Sequence, residues 1–393
     1  MAGILDGIQV LDFGRYVAAP FCCQLLADMG ADVIHVERAG GEPDRQRGPI
    51  GPDGQSLYFV GLNRNKRAVT LNLDKDGGRA LLLDLVKQSD VLVHNQPAPR
   101  AEALGRDYPS LRKANARLVY LAVTGFGPSG PYSGYTAFDP IIQAISGLAS
   151  MSGFDGQPAL CPLPIEDFTT GLYGALGVTL ALFHRERTGI GQSVDVSLFS
   201  TGLSLMGSFG VFAEAAINGV VRRSVGNDLY SGVGGTYPAT DGPVVVSTLG
   251  EALWRRLCRT MERTDLLEDT RLTDDQARYK HRDLVNNAIS AWTSQRTVAE
   301  VSQVLAEAGI PVGPVVSVDR VASHPQAQAQ QMVHTVKQPG LGDVPVSGTA
   351  MKFSESPGSI ELPSPAVGEH NREVYDRLLG TGESQRLARE GSI

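Results

Sequence analysis

Short runs of apolar and β-branched residues alternate with helical stretches through the first third of the chain, and this alternation restricts the fold more than any other feature. Residues 8–13, 32–36, 68–71, 90–94 and 118–123 read as strands, with helices over 19–28 and 76–88 between them. The strands are apolar on both faces, which predicts a parallel sheet covered by helices on each side: an α/β, Rossmann-like large domain. Right-handed crossovers in such a sheet put the ligand site at the carboxyl ends of the strands.

The rest of the chain divides by composition. Residues 1–217 are expected to form the large domain, including apolar helices over 171–183 and 198–217. The first of these runs is shorter than the ~20 residues a membrane span needs. Residues 218–243 are rich in Gly and Arg, with Gly232, Gly234 and Gly235 close together, and read as a linker or mobile loop. A smaller α/β domain is expected over 244–330. A Pro- and Gly-rich segment, 331–393, is expected to return to the large domain, with 385–393 frayed.

Charge and cysteine usage remove several function classes. Lys and Arg total 35 against 42 Asp and Glu, a net charge of -7, which gives no broad attraction to nucleic acid or to an anionic membrane. The four cysteines form no CxxC pair, and free thiols in a reducing cytoplasm are the expectation. The seven histidines show no metal-ligand spacing, so no metal is expected. The N-terminal residues lack the basic and apolar regions of a secretory signal. The first strand runs into DFGRYVAAP, with a single glycine, and lacks the GxGxxG of a nicotinamide enzyme.

One acidic residue stands out. Asp167 follows an extended approach through Pro162 and Pro164 and precedes a long apolar helix; then come a basic tip, a Thr-Gly-Ile-Gly-Gln turn and a strand from Ser193. A carboxylate there is expected at the helix N-cap, with Thr169 and Thr170 as rival caps. Capping alone accounts for such a residue. A carboxylate kept ionised by a helix N-terminus can also attack a thioester carbonyl, so capping and nucleophilic catalysis are compatible. Glu166 is the neighbour most easily mistaken for it.

The order of blocks around Asp167 resembles the family III CoA-transferases, the CaiB/BaiF group. The segments GIQVLDFGRYVAAPFCCQLLADMGADVIHVER, LNRNKRAVTLNL, VTGFGPSGPYSGYTAFDPIIQAISGLASMSG, IPVGPVVSVDRVASHPQAQAQQMV and PSPAVGEHNREVYDRLLG resemble the family's blocks in the same order. The resemblance implies a CoA-transferase in an interlocked homodimer, with acyl-CoA and small carboxylic acids as substrates and no tightly bound cofactor. It implies Asp167 as the nucleophile with Asp139 in support. It also implies CoA contacts at Val17, Ala18, Arg38, Leu71, Leu73, Asn95 and Arg100, with added charge from Lys66 and Arg67. Ala103 stands where the family has a basic residue, leaving Arg100 or Arg106 to compensate.

Two other activities bear on this reading. The family also contains α-methylacyl-CoA racemases, which use a histidine before the aspartate of the Gly-Pro loop. Here that position is Phe138, which cannot accept a proton. A non-catalytic acyl-CoA-binding protein is the remaining alternative. Arg222 and Arg223 are candidates to meet a second carboxylate, or are plain surface charge.

Overall fold

The structure is a computed structural model that describes residues 3–154 and 156–393. The chain divides into two compact units. The first comprises Met1–Leu148, Cys161–Val220 and Pro325–Ile393; the second comprises Ala149–Leu160 and Val221–His324.

The first unit is built on six parallel strands: β1 (Gln9–Phe13), β2 (Asp32–Glu37), β3 (Lys66–Thr70), β4 (Val91–His94), β5 (Val119–Thr124) and β6 (Ser193–Ser197). Their order is β3-β2-β1-β4-β5-β6, so the winding reverses between β1 and β4. Successive side chains enter opposite layers, as the two-residue period of a strand requires. Val10, Val33, Val93 and Leu121 pack with Cys22, Leu26 and Val178 on one face. Leu11, Ile34, Leu92 and Tyr120 pack with Leu82, Leu85 and Tyr375 on the other.

Lys66, the first residue of β3, is fully buried. Its Nζ donates to Asp12 Oδ2 at 2.8 Å, Asn63 Oδ1 at 2.9 Å and the Pro20 carbonyl at 2.9 Å. His35 Nδ1 meets the same Asp12 oxygen at 3.1 Å. Burial raises the Asp12 carboxyl, but Lys66 and His35 outweigh it and hold the group well below the usual carboxylate range. Lys66 is therefore neither a solvated surface charge nor a ligand-facing one. Arg67 is likewise occupied, pairing with Asp32 and Glu373.

In the second unit, β7 (Val233–Ala239), β8 (Gly242–Thr248) and β9 (Val312–Pro314) form an antiparallel sheet. Helices Glu251–Thr260, Arg282–Thr293 and Val298–Glu307 close its core through Trp254, Leu257, Ile289 and Val301. Residues 233–239, expected within a mobile linker, are thus a paired strand. Arg222 stacks on Tyr230 and Tyr279, at 4.2 and 5.3 Å to the ring centres, and donates to the Tyr230 carbonyl.

Back in the first unit, β10 (Val333–Gln338) and β11 (Gly342–Ser347) form a hairpin within the segment expected to be extended. The expected single helix over 198–217 breaks into Leu198–Ser208 and Val211–Asn218, bent by 59°. Gly210, at φ 85°, takes the left-handed conformation at the break. Among the described residues no single helix is long and apolar enough to cross a membrane. The C-terminus is not frayed: helix Glu383–Arg389 is followed by Ser392, whose carbonyl accepts from Asn72 N at 2.9 Å, and Ile393 packs on the core. That backbone contact was invisible to a composition argument.

Helix Ile165–Thr188 crosses helix Ala18–Asp28 at glycines. A Cβ on Gly171 would stand 2.7 Å from the Ala18 carbonyl oxygen and 2.9 Å from the Phe21 ring, and one on Gly174 would stand 3.3 Å from Cys22 Sγ. An alanine in a helix interior ordinarily gains about 1 kcal/mol over glycine. Overpacking against a backbone oxygen costs about 1–3 kcal/mol and exceeds that gain. Gly171→Ala is therefore expected to lower the urea midpoint, whereas Gly61→Ala, with nothing within 4 Å, is expected to raise it. A stabilised Gly171→Ala protein contradicts the close crossing.

Candidate active site

Helix Ile165–Thr188 starts after Pro164, so Asp167 is its third residue and not its cap. The cap is supplied by Asp139, at the start of helix Asp139–Ile145. Asp139 Oδ2 accepts the backbone N–H of Glu166 at 2.7 Å and of Asp167 at 3.1 Å. Its Oδ1 accepts from Gln143 Nε2, one helical turn on. The Gln143 amide also holds Cys161 by both backbone groups, at 2.8 and 3.2 Å, which fixes the approach segment. Thr169 and Thr170 do not cap; their hydroxyls bond back to the carbonyls of Ile165 and Glu166.

This arrangement makes Asp167 a weaker acid, where a helix N-terminus was expected to keep it ionised. Asp167 is half-buried. Burial, then the Asp139 carboxylate, then Glu166 push its carboxyl up from 3.8 to about 7. Two adjacent acids and lost water outweigh the helix N-terminal field, because the first N–H groups are already taken by Asp139. Glu166 points elsewhere: it is fully buried, its Oε1 accepts from Ser146 Oγ at 3.3 Å, and its other oxygen has no hydrogen-bond partner. Gly202 leaves it room, since a Cβ there would stand 2.9 Å from that carboxylate.

Aromatic rings gather around Asp167. Tyr58 is half-buried; burial and then the Asp167 charge push its phenol upward. The ring of Tyr16 packs edge-on against Phe138 at 5.6 Å. Tyr16 has φ 65°, unusual for a bulky residue, and its N–H is held by Asp44 Oδ2 at 3.0 Å. Phe21 meets Phe168 edge-on at 4.9 Å.

A cavity of about 550 Å³ opens at the carboxyl ends of β1 to β4, where the winding reverses. Of the residues expected there, Arg38, Leu71, Leu73 and Arg100 line its wall, together with Arg15 and Arg106. Val17, Ala18 and Asn95 stand behind the wall. Val17 caps and Ala18 begins the helix that abuts Gly171. Asn95 accepts from Arg15 N at 3.0 Å and donates to the Arg15 carbonyl at 2.6 Å, clamping the turn after β1. Reasoning from sequence missed Tyr16, Tyr58 and Gln143. Only Gln143 carried a signal, four residues after Asp139 on a helix.

The raised Asp167 carboxyl has a stability consequence. The folded protein favours the neutral acid, so ionised Asp167 destabilises it; the penalty begins above about pH 4 and is complete above about pH 7. Asp167→Asn is expected to stabilise the fold by about 1–3 kcal/mol at pH 8 in urea titrations, the difference vanishing toward pH 4. A pH-independent difference contradicts this assignment.

A model of the family described as CoA-transferase family III matches residues 5–371. A succinyl-CoA–D-citramalate CoA-transferase from Chloroflexus aurantiacus is 34% identical over 383 residues, covering 96% of this chain and 95% of its own. A formyl-CoA:oxalate CoA-transferase from Streptomyces avermitilis is 33% identical over 413 residues, covering 100% of each. The crystal structure of a CaiB/BaiF family protein from Brucella suis superposes with a TM-score of 0.84 at 29% identity, covering 96% of this chain and 100% of that one. These likenesses run through the sheet, the cavity and the Asp167 helix alike, and the chain belongs to CoA-transferase family III.

Proposed function

We propose that this chain moves CoA from an acyl-CoA donor to a carboxylic acid acceptor, with Asp167 as the covalent carrier. The observation that carries the reading is the Asp167 carboxyl itself: half-buried, pushed up to about 7, and held by its backbone on the Asp139 cap. A carboxylate of raised basicity is a stronger nucleophile once ionised. Asp167 attacks the thioester carbonyl and expels CoA thiolate, leaving a mixed acyl-aspartyl anhydride. The thiolate attacks the aspartyl carbonyl, releasing the donor acid and leaving an aspartyl-CoA thioester. The acceptor carboxylate attacks that thioester and expels the thiolate, which attacks the acceptor carbonyl of the new anhydride. The new acyl-CoA leaves and Asp167 is a free carboxylate again. One thioester replaces another, so no ATP is consumed. The nucleotide end of CoA sits in the cavity of Arg38, Leu71, Leu73 and Arg100, and its binding holds the labile intermediates in place.

The substrates are small carboxylic acids and their CoA thioesters, in keeping with relatives named for succinyl-CoA, citramalate, oxalate and glutarate. Phe138, packed on Tyr16, offers no base for a racemase-type proton abstraction. Leu172, Leu176, Leu180 and Phe183 form one exposed apolar stripe at helical spacing on helix Ile165–Thr188. The stripe supports a homodimer, interlocked as the family resemblance implies. Buried free thiols at Cys22, Cys23 and Cys258 suit a reducing cytoplasm.

Hydroxylamine added to the enzyme during turnover with an acyl-CoA is expected to leave a hydroxamate on Asp167, read by peptide mass spectrometry. Asp167→Ala is expected to lose CoA exchange entirely. Absence of any adduct at Asp167 would falsify the covalent role. The rate of donor attack, read as kcat/KM, is expected to rise with pH through about 7, as the acid ionises. Asp139→Asn removes a neighbouring negative charge, so its profile moves to lower pH; an unmoved or upward-shifted profile excludes the Asp139 charge as a cause.

A further inference from the structure

Five cations in the described chain are almost wholly buried, and four of them have a carboxylate. Arg64 pairs with Asp28, Lys66 with Asp12, Arg185 with Asp90 and Arg278 with Glu251 and Asp275. Arg106, 1% exposed, has none: its Nε and Nη2 are buried without a hydrogen-bond partner. A buried charge without a counter-ion is costly, and native folds rarely retain one unused.

The position of Arg106 is fixed from both sides. Its N–H donates to the Ala101 carbonyl at 2.8 Å, and its own carbonyl accepts from Tyr120 Oη at 2.9 Å. Its guanidinium lies 4.5 Å over the Phe13 ring, on the wall of the cavity at the sheet's switch point. Two more unpaired polar atoms stand at the end of β4, His94 Nε2 and Gln96 Oε1. His94 Nδ1 accepts from Gln96 N at 3.3 Å, so its Nε2 carries the proton and is a further unused donor. The acids on the same wall are already engaged. Glu42 pairs with Arg15 at 2.7 Å, Glu37 with Arg45 at 2.5 Å, and Asp74 faces Arg100 at 3.5 Å. Arg38 and Arg106 are the cations of this wall left without an acid among the described residues. Burial, with Arg15 and Arg100 nearby, lowers the Arg106 guanidinium to about 10, still protonated at neutral pH.

We propose that Arg106 is the anchoring ligand for a phosphoryl group, which enters this cavity as part of the nucleotide end of the acyl-CoA and supplies the missing counter-charge. This rests on the transferase reading for the identity of the ligand, though not for the anion site. The guanidinium's unused N–H groups match adjacent phosphate oxygens, which a lysine ammonium cannot do in a planar fork. The unliganded fold then carries an electrostatic cost that ligand binding relieves.

Arg106→Met keeps an unbranched stem on Phe13 and removes the charge. Calorimetry with CoA, 3′-dephospho-CoA and S-acetylpantetheine is the test, alongside thermal melts without ligand. Arg106→Met is expected to weaken CoA binding about ten- to hundred-fold, to leave S-acetylpantetheine unaffected, and to melt no lower than wild type without ligand. Arg106→Lys is expected to recover part of the loss. A loss shared with 3′-dephospho-CoA assigns the contact to the pyrophosphate, and a loss confined to CoA assigns it to the 3′-phosphate. Wild-type CoA affinity in Arg106→Met overturns the proposal, and a fallen melting temperature with it makes Arg106 a packing residue. Should Arg106→Met not fold, Arg106→Lys and Arg106→Gln carry the same comparison. Trapping of the Asp167 adduct at saturating acyl-CoA separates the two ideas. An adduct with undiminished CoA binding removes Arg106 alone; weakened CoA binding with no adduct even in wild type removes the transferase reading alone.

Discussion

Asp139 sets the geometry of this site and, after burial, is the main influence on its charge. One of its oxygens holds the first two free N–H groups of the helix that carries Asp167, and the other is tied to Gln143. The cap orients the first turn, and so sets where the Asp167 side chain leaves the backbone. The same carboxylate raises the energy of a second negative charge close by. A helix capped by Ser or Thr would keep the orientation and lose the electrostatic effect. An acid as cap repels an ionised Asp167 and leaves it more basic, which suits the carrier role proposed for it.

Behind that turn the scaffold is rigid for separate reasons. The Asp12, His35 and Lys66 cluster joins the first three strands of the sheet through buried polar contacts centred on the Asp12 carboxylate. Removing one member would strand the others in a dry interior, so the cluster acts as a unit. The crossing at Gly171 and Gly174 then brings the Asp167 helix onto the first helix at backbone distance. Neither feature lines the cavity. Together they fix the elements on which the site is mounted, as placement of functional groups on rigid elements requires.

Much of the first unit was legible because its signals are local. The strands of the parallel sheet fall on the short apolar runs of the sequence or beside them, and the helix over Asp76–Gln88 begins and ends where its periodicity does. What failed was non-local. Asp167 looked like a cap because the residue that caps lies 28 positions earlier, and nothing in the intervening sequence announces the contact. Residues 385–393 looked unbound because their partner, Asn72, is a backbone group with no sequence signature. Tyr58 and Tyr16 are ordinary aromatic residues in sequence, and only the fold brings Tyr58 near Asp167 and Tyr16 onto Phe138. Gly234 and Gly235 suggested a loop, yet they sit in β7, where flanking strand contacts overrode local preference.

The turn after β1 links the two ends of the site. Arg15 is on the cavity wall, Tyr16 packs against Phe138, Val17 caps the first helix, and the Ala18 carbonyl lies against Gly171. Four consecutive residues reach at most about 14 Å, so the cationic cavity and the anionic neighbourhood of Asp167 are joined by one short segment. Asn95 holds that segment at Arg15 by both backbone groups and so fixes the turn. At the cavity end Glu37, Glu42 and Asp74 are each paired with an arginine and Arg38 and Arg106 are left over, whereas three carboxyl groups stand together at the other end. In the proposed transfer, phosphates held at the arginines leave the thioester toward Asp167, and the reverse orientation would set them against Asp139, Glu166 and Asp167, where like charges repel.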